Sequence, residues 1–508
     1  MLSKVFTGSV MGINGLVMEV EVDIAKGLPA FFTVGLPEAA VRESRERVKS
    51  AILNCGYEFP DDRITVNLAP AGIKKEGTGF DLPIAVGILS ASGIVQEGAS
   101  DQYLLLGELA LDGRIKSLSG CLSVAVAAKD AGFSGVLVPY ENRREAAVVE
   151  GLNVYPVSGL AEAVDFLRGE RNIEAQSHEK FYDPEAESDI EADFSEVSGQ
   201  AHVKRALEIA AAGAHNVLMN GPPGSGKTML ARRFAGIVPP MTFEEALETT
   251  KIFSVAGLLE KDQALLTQRP FRSPHHTVSD AGLVGGGNMP RPGEVSIAHN
   301  GVLFLDELPE FKKSVLEVLR QPLEQRKVTI SRASVSLSYP ADFTLITAMN
   351  PCPCGYYSDP VHACRCTAVQ IDRYRNRLSG PLLDRIDIHI EVPAVKYAEL
   401  AGEKSAESSA DIRGRVVAAR KVQEKRFEGT RINTNAAMKN RHIKKYCSLD
   451  AESGGILEKA AEKLGLSARA CHRVLKIART IADLGGEPEI RPPHILEAVG
   501  YRSMDRPI

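Results

Sequence analysis

Residues 216–236 read NVLMNGPPGSGKTMLARRFAG. A short apolar run enters a glycine-rich stretch, and a helical pattern leaves it. Gly221, Pro222, Pro223, Gly224, Ser225, Gly226, Lys227 and Thr228 satisfy G-x-x-x-x-G-K-[ST] in full. Glycines at this spacing let backbone N–H groups curl around a phosphate, and the following helix aims its positive end at it. Lys227 is placed to reach the β- and γ-phosphates of ATP, and Thr228 to ligate Mg²⁺. A chance glycine-rich turn would not need a strand before it and a helix after it. This stretch has both.

The second half of such a site needs acids at the end of another buried strand. NGVLFLDELPEF (300–311) supplies them. Its apolar run fits a strand of a parallel sheet, where ligands sit beyond the C-terminal ends. Asp306 then suits the Mg²⁺ shell, and Glu307 suits polarising the attacking water. An acidic pair at a strand end also serves as a helix cap. The phosphate loop about 80 residues upstream favours the catalytic reading. A third apolar run, FTLITAMN, ends in Asn350. From there a polar side chain would orient the water.

The remaining chain is compatible with a soluble multidomain protein. Its 508 residues exceed one core, since domains hold about 100–200 residues. The net charge of −5 leaves nucleic-acid contacts to local basic patches. The N-terminus lacks the apolar core of a secretory signal, and no apolar run is long enough to span a bilayer. A cytoplasmic protein is expected. Residues 1–168 read as one α/β domain, with LVMEVEVDI and ITVNLAP as strands and DLPIAVGILSASGI and CLSVAVAAKDAG as helices. Residues 169–193 are charged and read as a linker. Residues 194–395 alternate strand and helix, and 396–508 are helical.

Together, the phosphate loop, LFLDE, the strand ending in Asn350, GPLLDRID and the helical C-terminus resemble an AAA+ ATPase. Longer stretches resemble the magnesium-chelatase-like YifB/ComM family: VSGQAHVKRALEIAAAGAHNVLMNGPPGSGKTMLA, FRSPHHTVSDAGLVGGG, PRPGEVSIAHNGVLFLDELPEF and AMNPCPCG. The resemblance covers nearly the whole chain. It implies an ATP-driven DNA motor, with helicase or branch-migration activity in recombination or natural transformation. It implies a homo-oligomer, usually a hexamer. Arg385 matches the arginine finger that reaches a neighbouring subunit's γ-phosphate. Arg469 in LSARACHRVL matches the sensor arginine of a helical lid. Two rival readings remain open: a magnesium-chelatase motor subunit and a protein-remodelling ATPase. DNA stimulation of the ATPase discriminates between them and the motor.

Two inserts bear on mechanism. FRSPHHTVSDAGLVGGGNMPRPGE suits a pore loop. Its adjacent His275 and His276 lack a third metal ligand, so they suit loop packing or substrate contact. VTISRASVSLSYP reads as a hairpin of 328–330 and 335–337 with Arg332 at its tip, either a DNA-phosphate contact or an exposed charge. Arg373, Arg375 and Arg377 are further candidate phosphate contacts. The N-terminal domain resembles the Lon protease domain, of the ribosomal S5 domain 2 type, through VNLAPAGIKKEGTGFDLPIAVGIL and GELALDGRIKSLSGCLSVAVAAKDAGFSGVLVPYENRRE. Gly79 or Phe80 stands near the Lon serine's place, and Leu122 at the lysine's. Without a Ser–Lys dyad the domain is a scaffold for ring assembly or for DNA.

NPCPCGYYSDPVHACRC (350–366) holds four of the eight cysteines. Cys352, Cys354, Cys364 and Cys366 could supply four thiolates to one tetrahedral Zn²⁺. Paired cytosolic thiols also act as redox sensors, and plain structural thiols are the third possibility. A zinc knuckle here would hold Asn350 and the Arg385 segment in register, or present Tyr356 and Arg365 to DNA. It would have no open coordination position. His362 is not needed as a ligand.

Overall fold

The computed structural model describes all residues except 76, 179–191, 261–262, 288–289, 333–335, 358, 360–361, 395–406, 431 and 503–508. The chain forms two compact units. The first comprises Met1–Pro184 with Thr242–Thr267, and the second Glu185–Met241 with Gln268–Ile508. This division departs from the sequence boundaries, and the helical C-terminus read as its own segment shares the second unit. Residues 242–267, read as part of the ATPase region, fold with the N-terminal unit. The expected linker 169–193 falls largely outside the described residues.

The first unit is built on a seven-stranded mixed sheet. Leu2–Met11 pairs antiparallel with Asn14–Ala25, which pairs antiparallel with Arg63–Ala69. Ala30–Val34 lies parallel at one edge, and Tyr103–Leu105, Gly135–Pro139 and Asn153–Val157 run parallel at the other. The helix Asp81–Ala91 is buried at every position but Ser90, so it reads as a continuous apolar run. Phe80 is 2% exposed and Leu122 fully buried, so both serve the core. The helix Phe243–Ala256 starts at a Thr242 capping box and ends at Gly257 in the left-handed region. Its Ser254 Oγ accepts from Gly120 N at 2.9 Å and donates to the buried Glu145 carboxylate. That carboxylate also takes Leu122 N at 2.8 Å and Asn142 Nδ2 at 2.9 Å. Burial pushes Glu145 above its ordinary value, against these donors.

The second unit contains a five-stranded sheet in the order Phe271–Arg272, Val302–Leu305, Thr344–Met349, Val217–Asn220, Ile388–Glu391. Every neighbouring pair is parallel. Three of these strands are buried at every position, because helices cover both faces of a parallel sheet. Phe234 and Phe304 are 0% and 1% exposed in that core, each worth about 1.5–3 kcal/mol by transfer of apolar area. The helical C-terminal segment packs into the same core through Ile412, Val416, Val474, Ile477 and Ile495. Its helices include Ser409–Arg426, Ala468–Leu484 and Pro492–Gly500. The hairpin pairs Lys327–Ser331 with Ser336–Pro340. Val335, expected to open its second strand, lies outside the described residues.

Candidate functional site

Parallel strands that share a direction bring their C-terminal ends to one edge. In register, Asn220 stands opposite Met349, and Leu305 opposite Thr347. The residues that follow are therefore neighbours: the phosphate loop after Asn220, Asp306 and Glu307 after Leu305, and Asn350 after Met349. Gly221 N donates to Met349 O at 3.2 Å, tying the loop to the adjacent strand. Gly224 and Gly226 have φ of +75° and +87°, a region other residues occupy only with strain. Gln200 Nε2 donates to Ser225 O at 3.0 Å and to Pro393 O at 3.1 Å, bracing the loop from the far side.

Lys227 is 8% exposed. Its ammonium donates to Gly221 O at 2.7 Å, Pro222 O at 2.9 Å and Asn350 Oδ1 at 3.3 Å. Burial pulls it below its ordinary value, while Asp306 and Glu307 oppose that. These acceptors are neutral. Phosphate oxygens would be charged ones and make stronger bonds. Thr228 Oγ1 donates to Asp306 Oδ2 at 2.8 Å, so the two expected Mg²⁺ ligands meet. Asp306 Oδ1 accepts from Glu307 N at 2.9 Å. Glu307 itself has φ +51°, a left-handed conformation uncommon outside glycine and asparagine. Its carboxylate is more than half exposed at the sheet edge.

Sequence reading missed one neighbour. His276 Nδ1 lies 3.6 Å from Glu307 Oε2, and its ring stacks on His275 at 4.1 Å between centroids. The signal would have been the two-residue strand Phe271–Arg272, which pairs with Val302 and Leu303 and delivers Ser273–His276 to the same edge.

The two arginines implied by resemblance are placed differently. Arg385 is 8% exposed and held within its own chain, donating to Pro381 O and to the Glu324 carboxylate. Arg469 is exposed in the first turn of the helix Ala468–Leu484. One turn on, Arg473 forms an ion pair with the buried Asp387, two residues past Arg385. Asp387 also lies 3.5 Å from His215 Nδ1. Despite burial, the Arg473 guanidinium, helped by the His215 ring and Lys476, holds its carboxyl far below the usual range.

Arg332 is exposed, and its Nε donates to Gly287 O at 3.3 Å. The hairpin and the expected pore loop share a groove of about 590 Å³ lined by Asp280, Val284, Arg320, Ile330 and Arg332. Two other basic candidates have partners within the chain. Arg375 Nε donates to Pro351 O at 3.4 Å and its guanidinium covers Tyr357. Arg377 Nη1 donates to Pro309 O at 3.3 Å and to Glu310 at 2.9 Å. Both brace loops at the site, and Arg377 remains half exposed. Arg373 is exposed.

The four clustered cysteines converge. Their sulfurs all lie within 4.8 Å of one another, with Cys352–Cys354 at 3.3 Å, Cys352–Cys364 at 3.7 Å and Cys354–Cys364 at 3.6 Å. A tetrahedron with metal–sulfur bonds of about 2.3 Å has edges of about 3.8 Å. The donor set therefore fits a zinc ion. Backbone N–H groups of Arg365 and Tyr356 bring the Cys354 thiol down to about 6. His362 instead packs on Tyr356, with 4.8 Å between ring centroids, and lies 3.4 Å from Asp359.

Comparison with known proteins now bears on these motifs. The family model described as magnesium chelatase, subunit ChlI, matches residues 193–400. Models for subunit ChlI of Mg-chelatase and for the ChlI C-terminal region match 20–142 and 406–502. Competence protein ComM of Haemophilus influenzae is 44% identical over 512 residues, covering 99% of this chain and 98% of its own. The chain belongs to the ComM/YifB family of magnesium-chelatase-like proteins. YifB of Escherichia coli K12 is 45% identical over 506 residues, with the same coverage. Lon protease 2 of Bacillus subtilis is 31% identical over 189 residues, about a third of each chain. The Lon likeness is thus partial, whereas the ComM/YifB likeness is end to end. ATP binding on an AAA+ core is what this family and the phosphate loop have in common. Among the described residues, no helix is long and apolar enough to cross a membrane.

Proposed function

We propose that this chain is a cytoplasmic, Mg²⁺-dependent ATPase that assembles into a ring of six subunits, as is usual for AAA+ proteins, and moves along or remodels branched DNA. The observation that carries the ATPase reading is the meeting of Thr228 with Asp306 at 2.8 Å, beside Glu307 and Asn350. Thr228 and Asp306 would hold Mg²⁺, which when bound neutralises charge on the β- and γ-phosphates. Lys227 turns from loop carbonyls to phosphate oxygens. Glu307 takes the proton of the attacking water, and Asn350 orients that water. Arg385 would complete the site of the adjacent subunit, and Arg469 would follow the nucleotide from the helical segment. The zinc reading of the four thiols is structural, with every coordination position filled by sulfur.

The DNA part rests on the end-to-end likeness to a competence protein, supported by the exposed Arg332 beside the insert. Helicase or branch-migration activity in recombination or transformation is the specific form this proposal takes. The magnesium-chelatase match to 193–400 favours a second reading, a motor that drives metal insertion into a porphyrin. ATPase rates with single-stranded, duplex and forked DNA separate the two. Strong stimulation by one of them supports the DNA motor, and no stimulation by any overturns it.

Two variants sharpen this. Lys227→Ala should abolish nucleotide binding measured by equilibrium dialysis, because it removes the one cation seated in the loop. Wild-type affinity would refute the phosphate site. Arg332→Ala should leave basal ATPase unchanged, weaken DNA binding across sequences and lower the salt slope by about one ion. An unaltered DNA response would remove the hairpin from the DNA path.

A further inference from the structure

The cysteine loop touches the nucleotide site at points the sulfurs do not explain. Gly355, directly after Cys354, has φ +85°. A Cβ added there would stand 2.5 Å from Pro223 Cδ and 2.7 Å from its Cγ. No side chain fits, so the backbone of the cysteine loop rests directly on the phosphate loop. On the other side, Cys352 is fully buried two residues after Asn350, which receives Lys227. Arg375 returns from the helix Ala368–Arg375 to the Pro351 carbonyl and the Tyr357 ring. Arg377, just past that helix, holds Pro309 O and Glu310, next to the acidic pair.

Between these anchors, residues 352–366 contain no helix or strand among the described residues. An irregular stretch of this length keeps one shape only if something closes it. Here the convergent sulfurs are what closes it. Gly355 N donates to Cys352 O at 2.9 Å, so the turn that meets Pro223 is the turn that carries two of the thiols.

We propose that the ion held by Cys352, Cys354, Cys364 and Cys366 is a working part of the ATP site: it fixes the turn on which Pro223 rests, so metal occupancy and ATP affinity are coupled. This rests on the ATPase reading above. When the ion leaves, the turn relaxes, Gly355 moves off Pro223, and the phosphate loop keeps its Gln200 brace and its Gly221 tie to Met349 O but loses its support at Pro223. Asn350 is freed at the same time, and Lys227 loses its third acceptor. Linkage makes the coupling reciprocal: ATP must tighten zinc by the factor by which zinc tightens ATP.

The test uses the full chain, zinc assayed colorimetrically and a fluorescent ATP analogue for affinity. Wild type should carry about one zinc per four-thiolate site. Cys364→Ser combined with Cys366→Ser spares the Gly355 turn. It should lose zinc, keep its far-UV circular dichroism and bind the analogue about tenfold more weakly, within the ordinary range of coupling between sites. Gly355→Ala should keep zinc and show a comparable loss of affinity. If the double variant is zinc-free yet binds ATP like wild type, the coupling is overturned. Wild type that takes up no zinc from zinc-supplemented growth overturns the metal site. Wild type that carries zinc but binds no ATP overturns the ATPase reading, and the coupling with it.

Discussion

Glu307→Gln should bind ATP and Mg²⁺ as wild type does and hydrolyse about 10²- to 10⁴-fold more slowly, the ordinary contribution of a positioned general base. The amide keeps the shape and the hydrogen-bonding reach of the carboxylate but cannot take a proton. Binding survives because Glu307 contributes no atom to the phosphate loop. Its neighbour Asp306, not Glu307, meets Thr228. The left-handed backbone at Glu307 supports the same assignment, since strain of this kind is kept where a side chain must be aimed. Single-turnover hydrolysis with prebound ATP is the measurement. Wild-type turnover would assign the base elsewhere, and lost binding would make Glu307 a metal ligand.

Arg385→Ala should cost about 10³- to 10⁵-fold in turnover if the guanidinium serves as a finger in trans. The structure adds a condition. Within one chain this guanidinium is held by Glu324 and Pro381 O, so it must leave the glutamate to reach a neighbour's phosphate. Glu324 is more than half exposed, which keeps its grip weak. Glu324→Gln should therefore leave turnover intact or raise it, whereas Arg385→Ala abolishes it. Mixing Arg385→Ala with Lys227→Ala subunits should restore part of the activity, because some interfaces then pair a sound finger with a sound phosphate loop. Failure of rescue at every ratio, with subunit exchange demonstrated by labelled protomers, would make Arg385 a structural residue tied to Glu324. Turnover lost in Glu324→Gln as well would point the same way.

The nucleotide machinery was legible because each part is a short contiguous motif at the end of an apolar run. A buried strand followed by G-x-x-x-x-G-K-T, or by Asp-Glu, has few other uses. The convergence of four thiols within 4.8 Å was equally foreseeable from two C-x-C pairs. What escaped depends on pairing at a distance. His276 reaches Glu307 only through a strand two residues long. Gly355 meets Pro223 across 132 positions of chain, by a backbone contact that leaves no mark but a glycine. Arg375 and Arg377 have the composition of a phosphate-binding stretch, yet carbonyls and a carboxylate within the chain claim them. Arg469 and Arg473 share one helix, and only tertiary packing shows that it is Arg473 that meets Asp387.

The segment 242–267 bears on how this protein can be taken apart. The chain passes between its two units three times: near 184, near 241 and near 267. The helix Phe243–Ala256 buries Ala246, Thr249, Thr250, Ile252 and Ser254, partly against the helix Cys121–Asp130 of the first unit. A truncation beginning at residue 185 would keep this helix and discard its partners, leaving an apolar face bare and prone to association. The ends of the excursion are close. Arg269 Nη2 donates to Pro240 O at 3.1 Å, so Met241 and Gln268 leave and rejoin the second unit side by side. A short glycine-serine bridge from 241 to 268, with residues 1–184 removed, would excise the first unit as a whole. Conversely, the helix Phe243–Ala256 enters the chain between the phosphate-loop helix Lys227–Ile237 and the strand Phe271–Arg272, so any cut inside 242–267 severs the second unit's chain as well as the first's.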